Sequence, residues 1–376
     1  ALAAGLVLAA CTTPQSGGPP ASTSAAPAAS ADTTPTGGSG PAPGTGSSPT
    51  ATAAQGSPGH HPTPSAQGTE CVERTVAAMT PQQRLGQLFM VGLYPSPGPS
   101  GVADALTRHR VGAGIYLGGW SGAARIAETS AQLQRTAAGP VELLVAADQE
   151  GGAVQQLSGP GFTRQPRALD QGRERPAALT DRAMLIGREL GAAGVNVDLA
   201  PVADTVPPGQ EARNQPIGRW GRHYGTQPEL VATAVPAVVA GLQSQQVVAT
   251  LKHFPGLGRV TGNTDLTATG ISDDVATVED PHLEPFRAGI AAGVGMVMVS
   301  SARYPRLDPR NQAVFSRAVV TDLLRGRLGF TGVVITDDVG SAKAVAAVPV
   351  GERAVRFLAA GGDIVLTAQA GQVPTM

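Results

Sequence analysis

Val247-Val248-Ala249-Thr250-Leu251-Lys252-His253-Phe254-Pro255-Gly256-Leu257-Gly258 is an apolar run that ends in a cation, an imidazole and a tight Pro/Gly turn. Val333-Val334-Ile335-Thr336-Asp337-Asp338 repeats the pattern later in the chain, with two carboxylates directly after a β-branched run. A buried strand that ends in charge must direct that charge to a partner or to solvent, because an unpaired buried charge is very costly. In a parallel α/β barrel such ends converge on one rim, the active-site face.

Reading outward from these two runs, eight apolar stretches have strand character: 87–93, 114–117, 143–147, 195–201, 247–252, 295–300, 332–336 and 363–367. Helix-like stretches lie between most of them, at 123–137, 178–192, 228–243, 284–292 and 317–327. Thr80-Pro81-Gln82-Gln83 reads as a helix start, with a Thr cap and Pro at the first helical position. Near-continuous apolar strands alternating with helices mean a parallel sheet covered on both faces. Eight such units predict an α/β fold of the (β/α)8 TIM-barrel type forming a single catalytic domain. The rival is an open, doubly wound sheet, which usually carries a Gly-rich phosphate loop after its first strand. Here the first strand leads into Tyr94-Pro95-Ser96-Pro97, which is no phosphate cradle.

The chain has 376 residues, a formal net charge of −1 and 3% aromatics. That balance gives neither the basic surface nor the stacking platform that nucleic acid requires. Two cysteines are too few for a disulfide framework or a cysteine zinc site. Residues 1–10 are apolar or small and too short to span a bilayer, which fits part of an export signal. Leu8-Ala9-Ala10-Cys11 resembles a bacterial lipobox, which implies cleavage before Cys11 and lipid on its sulfur. A Cys11–Cys71 disulfide is the competing use of that thiol. From Thr12 to Thr69 there is no Val, Leu, Ile, Met or aromatic residue, and Asp32 is the only charge. Such a segment cannot build a core, so 11–70 is expected to be a disordered Pro/Ser/Thr/Ala/Gly tether and 71–376 the barrel. His60 and His61 fall in that tether and read as solvated histidines. The chain stops at Met376 just after the eighth stretch, where a barrel needs a closing helix, so both ends are expected to continue.

The ends of four strands carry the chemistry: Asp148-Gln149-Glu150-Gly151-Gly152 after the third, Asp204 after the fourth, Lys252-His253 after the fifth and Asp337-Asp338 after the seventh. Carboxylates accept hydrogen bonds from hydroxyls while Lys and Arg donate to them, so the set suits a neutral polyhydroxylated ligand. There is no Gly-x-Ser-x-Gly elbow. His109, His223, His253 and His282 are too far apart in sequence for metal-ligand spacing, so no metal or other cofactor is called for. Glycoside hydrolysis needs one acid near the leaving oxygen and one carboxylate near the anomeric carbon.

Asp148-Gln149-Glu150-Gly151-Gly152, Lys252-His253-Phe254-Pro255-Gly256 and Thr336-Asp337-Asp338 resemble the signatures of glycoside hydrolase family 3. The branch they are most similar to is the bacterial single-domain β-N-acetylglucosaminidases, also called β-N-acetylhexosaminidases. The resemblance implies that Asp337 is the nucleophile of a retaining mechanism, with Asp338 in support. It implies that Asp148, Lys252, His253 and an Arg of the loop after the fourth strand bind the sugar hydroxyls. Within Ile217-Gly218-Arg219-Trp220-Gly221-Arg222-His223 that Arg is assigned to Arg222, with Arg219 as the rival; Trp220 is a candidate stacking residue. The branch carries Asp-Ser-His on a mobile loop, whose His protonates the leaving oxygen. This chain has Asn263-Thr264-Asp265 there, and Leu257 replaces a His usual in the Pro-Gly turn. Asp265 stands where the imidazole is missing and is the candidate acid/base.

The expected activity is removal of terminal β-linked N-acetylglucosamine from cell-wall-derived glycans such as muropeptides, by a monomer held on the outer face of the cell membrane through lipid at Cys11. A non-catalytic sugar-binding lipoprotein on the same barrel and a β-glucosidase-like enzyme are the alternatives. A lipid at Cys11 predicts that Cys11→Ser moves the exported protein from the membrane fraction to the soluble fraction. An unchanged distribution would exclude lipid at Cys11 as the anchor.

Overall fold

The computed structural model describes residues 66–137 and 139–376. The export signal, Cys11, His60, His61 and nearly all of the tether lie outside the described residues. The first described element is the helix Ala66–Ala78, so the last residues assigned to the tether belong to a helix. Cys71 lies in this helix and is disulfide-bonded rather than a free thiol. At Thr80 the expected helix start is present in full. The Thr80 hydroxyl accepts from Gln83 N–H, Gln83 answers to the Thr80 N–H, and Pro81 occupies the first turn.

Eight parallel strands form the barrel: β1 (Phe89–Leu93), β2 (Ala113–Tyr116), β3 (Leu144–Ala147), β4 (Val197–Asp198), β5 (Val248–Phe254), β6 (Met296–Val299), β7 (Val333–Thr336) and β8 (Val365–Thr367). Each pairs with its neighbours in sequence, and β1 pairs with β8. A parallel bridge between Ile335 and Ile364, one residue ahead of β8, closes the ring. Side chains alternate, as the pleat demands. Met90, Ile115, Val197, Leu199, Met298 and Ile335 fill the barrel interior. Val91, Val145, Val297 and Val334 face outward against the helical layer. Helices Pro176–Ala192 and Pro228–Gln243 each begin with Pro at the first turn, where its missing N–H costs nothing.

Three departures from the expected elements matter. β4 is shorter than 195–201, and beyond Asp198 single hydrogen bonds, Leu199 N–H to the Ala147 carbonyl and Thr250 N–H to the Ala200 carbonyl, lead to a bridge between Val202 and Lys252. The stretch 317–327 winds as a π-helix over Ala318–Arg327 rather than as an α-helix. β5 runs on to Phe254, and its register against β6 jumps from Leu251 opposite Val297 to Phe254 opposite Val299. That bulge inserts an extra residue into β5. Leu251 and Phe254 both pack outward, so Lys252 and His253 are both left for the interior side. A regular strand would have turned one of them away.

Candidate active site

A cavity of about 400 Å³ opens at the carboxyl ends of the strands. Asp148, Arg222, Lys252, His253, Asp265 and Asp337 all line it, together with Tyr94, Leu257, Asn263, Thr264 and Asp338. The six residues assigned to catalysis or sugar binding from the sequence therefore reach one space. The apolar side chains of Ile115, Leu199 and Met298 from the barrel interior also border it.

One wall is a network of four charges. Arg222 grips Glu150 with two parallel hydrogen bonds, Nε to Oε2 at 2.8 Å and Nη2 to Oε1 at 2.7 Å. Lys252 Nζ stands 2.6 Å from Glu150 Oε1 and 2.5 Å from Asp148 Oδ1. Two acids thus meet two bases, and the cluster is neutral. Lys252 and Glu150 keep only 2% and 3% of their side-chain surface, whereas Asp148 keeps 18% and is the member most open to a ligand. Burial alone would raise the Glu150 carboxyl, but the charges of Arg222 and Lys252 outweigh it and hold the group at about 2. Burial would likewise lower Lys252, and the flanking Asp148 and Glu150 carboxylates raise it instead. Both bases stay charged.

His253 adjoins this network. Its Nδ1 lies 2.7 Å from Asp204 Oδ2. A carboxylate only accepts, so Nδ1 carries the hydrogen and Nε2 is left toward Arg222 Nη2, 3.5 Å away. The other Asp204 oxygen accepts from Leu257 N–H at 2.6 Å, which ties the Pro-Gly turn to the same buried acid.

Three further carboxylates line the cavity. Asp338 N–H donates to Asp337 Oδ1 at 2.8 Å. The Asp338 side chain turns back, and its Oδ1 accepts from Gly340 N–H at 2.8 Å and Ala368 N–H at 2.9 Å. Asp338 therefore braces the ends of β7 and β8, while Asp337 keeps its second oxygen for the cavity. Asp265 is solvent-exposed as a residue, yet it lines the cavity. Protein packed around its carboxyl, and then the charge of Asp337, push that group up to about 7. Solvent on its open side screens part of the push, and the direction is upward.

Of the two arginines only Arg222 lines the cavity. Arg219 is exposed, bonds to Gln215 and lies over the Trp220 ring at 5.2 Å, outside the cavity. Trp220 does not line the cavity either. Three buried acids were not assigned from the sequence. Glu150 was inside a quoted motif, and its spacing of two from Asp148 was the available signal. Asp204 was visible only as a charge after a strand. Asp198 sits within β4 and accepts from Gln149 N–H at 3.0 Å; burial raises its carboxyl to about 7.

A closed barrel whose rim gathers a network of paired charges and further carboxylates around one cavity has the layout of a glycosidase. Residues 80–374 match the family profile described as Glycosyl hydrolase family 3 N terminal domain. The chain belongs to glycosyl hydrolase family 3 and is a glycosidase. A beta-hexosaminidase from Stenotrophomonas maltophilia (strain K279a) is 36% identical over 266 residues, covering 69% of this chain and 77% of that protein. The crystal structure of beta-N-acetylhexosaminidase from Beutenbergia cavernae DSM 12333 is similar with a TM-score of 0.76 and 45% identity, over 80% of this chain and 91% of that one. A glycoside hydrolase family 3 beta-N-acetylglucosaminidase from Paenibacillus sp. str. FPU-7 is similar with a TM-score of 0.71 and 33% identity, over 79% of this chain and 57% of that one.

Removing Arg222 from the network leaves Glu150 and Asp148 to share the single charge of Lys252. Arg222→Met should lower unfolding free energy in urea by about 3–5 kcal/mol near neutral pH. Glu150 is depressed from 4.5 to about 2 when folded, so its contribution is full above about pH 4.5 and is lost as pH falls toward 2. The deficit of the variant should therefore shrink over that acid range. A deficit independent of pH would place the loss elsewhere.

Proposed function

We propose that this glycosidase releases terminal β-linked N-acetylglucosamine with retention of configuration. The observation that carries the proposal is the pair of unlike carboxyls, Asp337 and Asp265, lining a single cavity together with Asp148, Lys252, Arg222 and His253. The sugar is taken from the relatives, two of which are named for N-acetylhexosamine or N-acetylglucosamine substrates. The roles follow from the surroundings of each group.

Asp148, Lys252, Arg222 and His253 bind the hydroxyls of the terminal sugar. Asp337 attacks the anomeric carbon as that carbon's bond to the leaving oxygen breaks, giving a glycosyl ester on Asp337. Asp265, held protonated by its crowded side and by Asp337, gives its proton to the leaving oxygen. In the second half Asp265, now ionised, takes a proton from water as that water attacks the anomeric carbon, and Asp337 departs as carboxylate. Formation of the ester removes the Asp337 charge, so the same interaction that raises Asp265 at the start weakens when it must serve as base. That alternation is the environment-set division of labour two carboxylates need.

Cell-wall-derived glycans are the proposed source of substrate, reached from the outer face of the membrane. Lipid anchoring at Cys11 is proposed from residues 1–10 and Leu8-Ala9-Ala10-Cys11.

Release of 4-methylumbelliferone from its β-N-acetylglucosaminide tests the activity. Asp337→Asn should abolish turnover, and Asp265→Ala should lower kcat/KM about 10²–10⁴-fold, the range for a lost general acid. The wild-type kcat/KM should fall as pH rises through about 7, where Asp265 loses its proton, and Asp265→Ala should lack that limb. Sugar binding with no turnover would instead favour a binding protein, and full activity in Asp265→Ala would remove that residue from the mechanism.

A further inference from the structure

The loop that carries Asp265 is bonded to the loop that follows Asp337. Ala344 N–H donates to the Thr264 carbonyl at 2.9 Å, and Lys343 N–H donates to the Asp265 carbonyl at 3.1 Å. Both donors belong to the 3-10 turn Lys343–Val345 beyond β7. Thr264 is only 2% exposed, so the loop is seated on that turn at this residue, while Asp265 and Leu266 beside it are open to solvent. The loop is also closed on itself. Thr261 and Gly262 both donate to the Gly270 carbonyl, at 2.9 and 2.7 Å, and Asn263 Oδ1 accepts from Asp265 N–H at 2.9 Å.

The turn that receives the loop is held in its turn by one side chain. Gln312 is 5% exposed, and its Nε2 donates both to the Ser301 carbonyl at 2.9 Å and to the Ala344 carbonyl at 2.7 Å. Ser301 follows β6 and Ala344 follows β7. A single amide therefore joins two rim loops and fixes the residue whose N–H holds Thr264. Gln312 does not line the cavity.

We propose that this chain of bonds is a clamp that aims Asp265, and that Gln312 is its positioning residue. The proposal rests on Asp265 being the general acid. The clamp presets the acid before substrate arrives, so Asp265 need not swing in from solvent during each turnover. Its loss should affect only the reactions that need a proton on the leaving oxygen. A phenoxide needs one; 2,4-dinitrophenoxide is stable enough to leave without it.

The experiment compares kcat/KM, which reports the first chemical half, for phenyl and 2,4-dinitrophenyl β-N-acetylglucosaminides. Gln312→Met keeps the volume and removes both donors. It should lower the phenyl value by about 10-fold or more, part of the 10²–10⁴ a general acid supplies, and change the dinitrophenyl value less than about 2-fold. Lys343→Pro is the second variant. It deletes only the N–H that holds Asp265, at the first residue of the turn, and Ala342 before it has φ −57° and ψ 128°, which a following proline accepts. It should show the same selectivity to a smaller degree, and it carries the test should Gln312→Met fail to fold. Asp265→Ala is the reference. Selectivity in Asp265→Ala with equal losses, or none, in the two clamp variants would overturn the clamp alone. No selectivity in Asp265→Ala would overturn the acid assignment and the clamp with it.

Discussion

The site depends on one constraint: Lys252 is almost wholly buried and must remain charged. Its cost is offset only because Asp148 and Glu150 lie within 2.6 Å of its nitrogen and Arg222 completes a neutral set. The four members come from three parts of the rim, so the requirement to pair them holds the ends of β3 and β5 and the loop after β4 in one arrangement. The bulge in β5 extends the same constraint to His253. With Phe254 returned to the outer core, Lys252 and His253 must both point inward, and Asp204 waits under the imidazole. Breaking a buried pair is far more destabilising than its net worth suggests, because the survivor is left without a partner. The polar wall is therefore rigid for electrostatic reasons, and a rigid donor–acceptor array is what orients a sugar ring.

The carboxylate wall is organised differently. Asp337 is addressed by a backbone N–H from Asp338, whose own side chain is spent on Gly340 and Ala368. Asp265 is addressed through its backbone, by hydrogen bonds from the turn after β7. Neither acid is tied into a side-chain ion pair, and this suits their proposed work. A nucleophile locked to a cation is a weaker nucleophile, and an acid paired with a cation would lose its proton too early. The family resemblance implies a mobile loop with a histidine. In the proposed mechanism a shorter carboxylate on a seated loop takes that position, and seating offsets the reach that the imidazole would have supplied.

Much of this was legible in the sequence. Eight apolar stretches stand within a few residues of eight strands, because burial on both faces leaves a continuous apolar run that local reading detects. Asp148, Lys252, His253 and Asp337 were legible for the same reason, as charges directly after such runs. The long-range pairings were not. Arg222 and Arg219 are three residues apart in one loop, and only the partner, Glu150, distinguishes them. Asp204 and Gln312 act on groups many residues away and leave no local periodicity. The shift of register at Leu251–Phe254 could not be read either, since a bulge is a property of two strands and one strand's sequence does not announce it. Fold came from pattern; the sugar came from relatives, because a barrel of this type hosts many chemistries.

The central claim is that Asp337 forms a covalent bond to the sugar while Asp265 handles the proton. It is tested most directly by trapping the intermediate. A 5-fluoro N-acetylglucosaminyl fluoride, whose ring fluorine slows the second half more than its leaving group slows the first, is incubated with the enzyme, and the digested protein is sequenced by mass spectrometry. The account predicts one glycosyl adduct, on Asp337. An adduct on Asp265, or turnover with inverted product and no adduct, would contradict it.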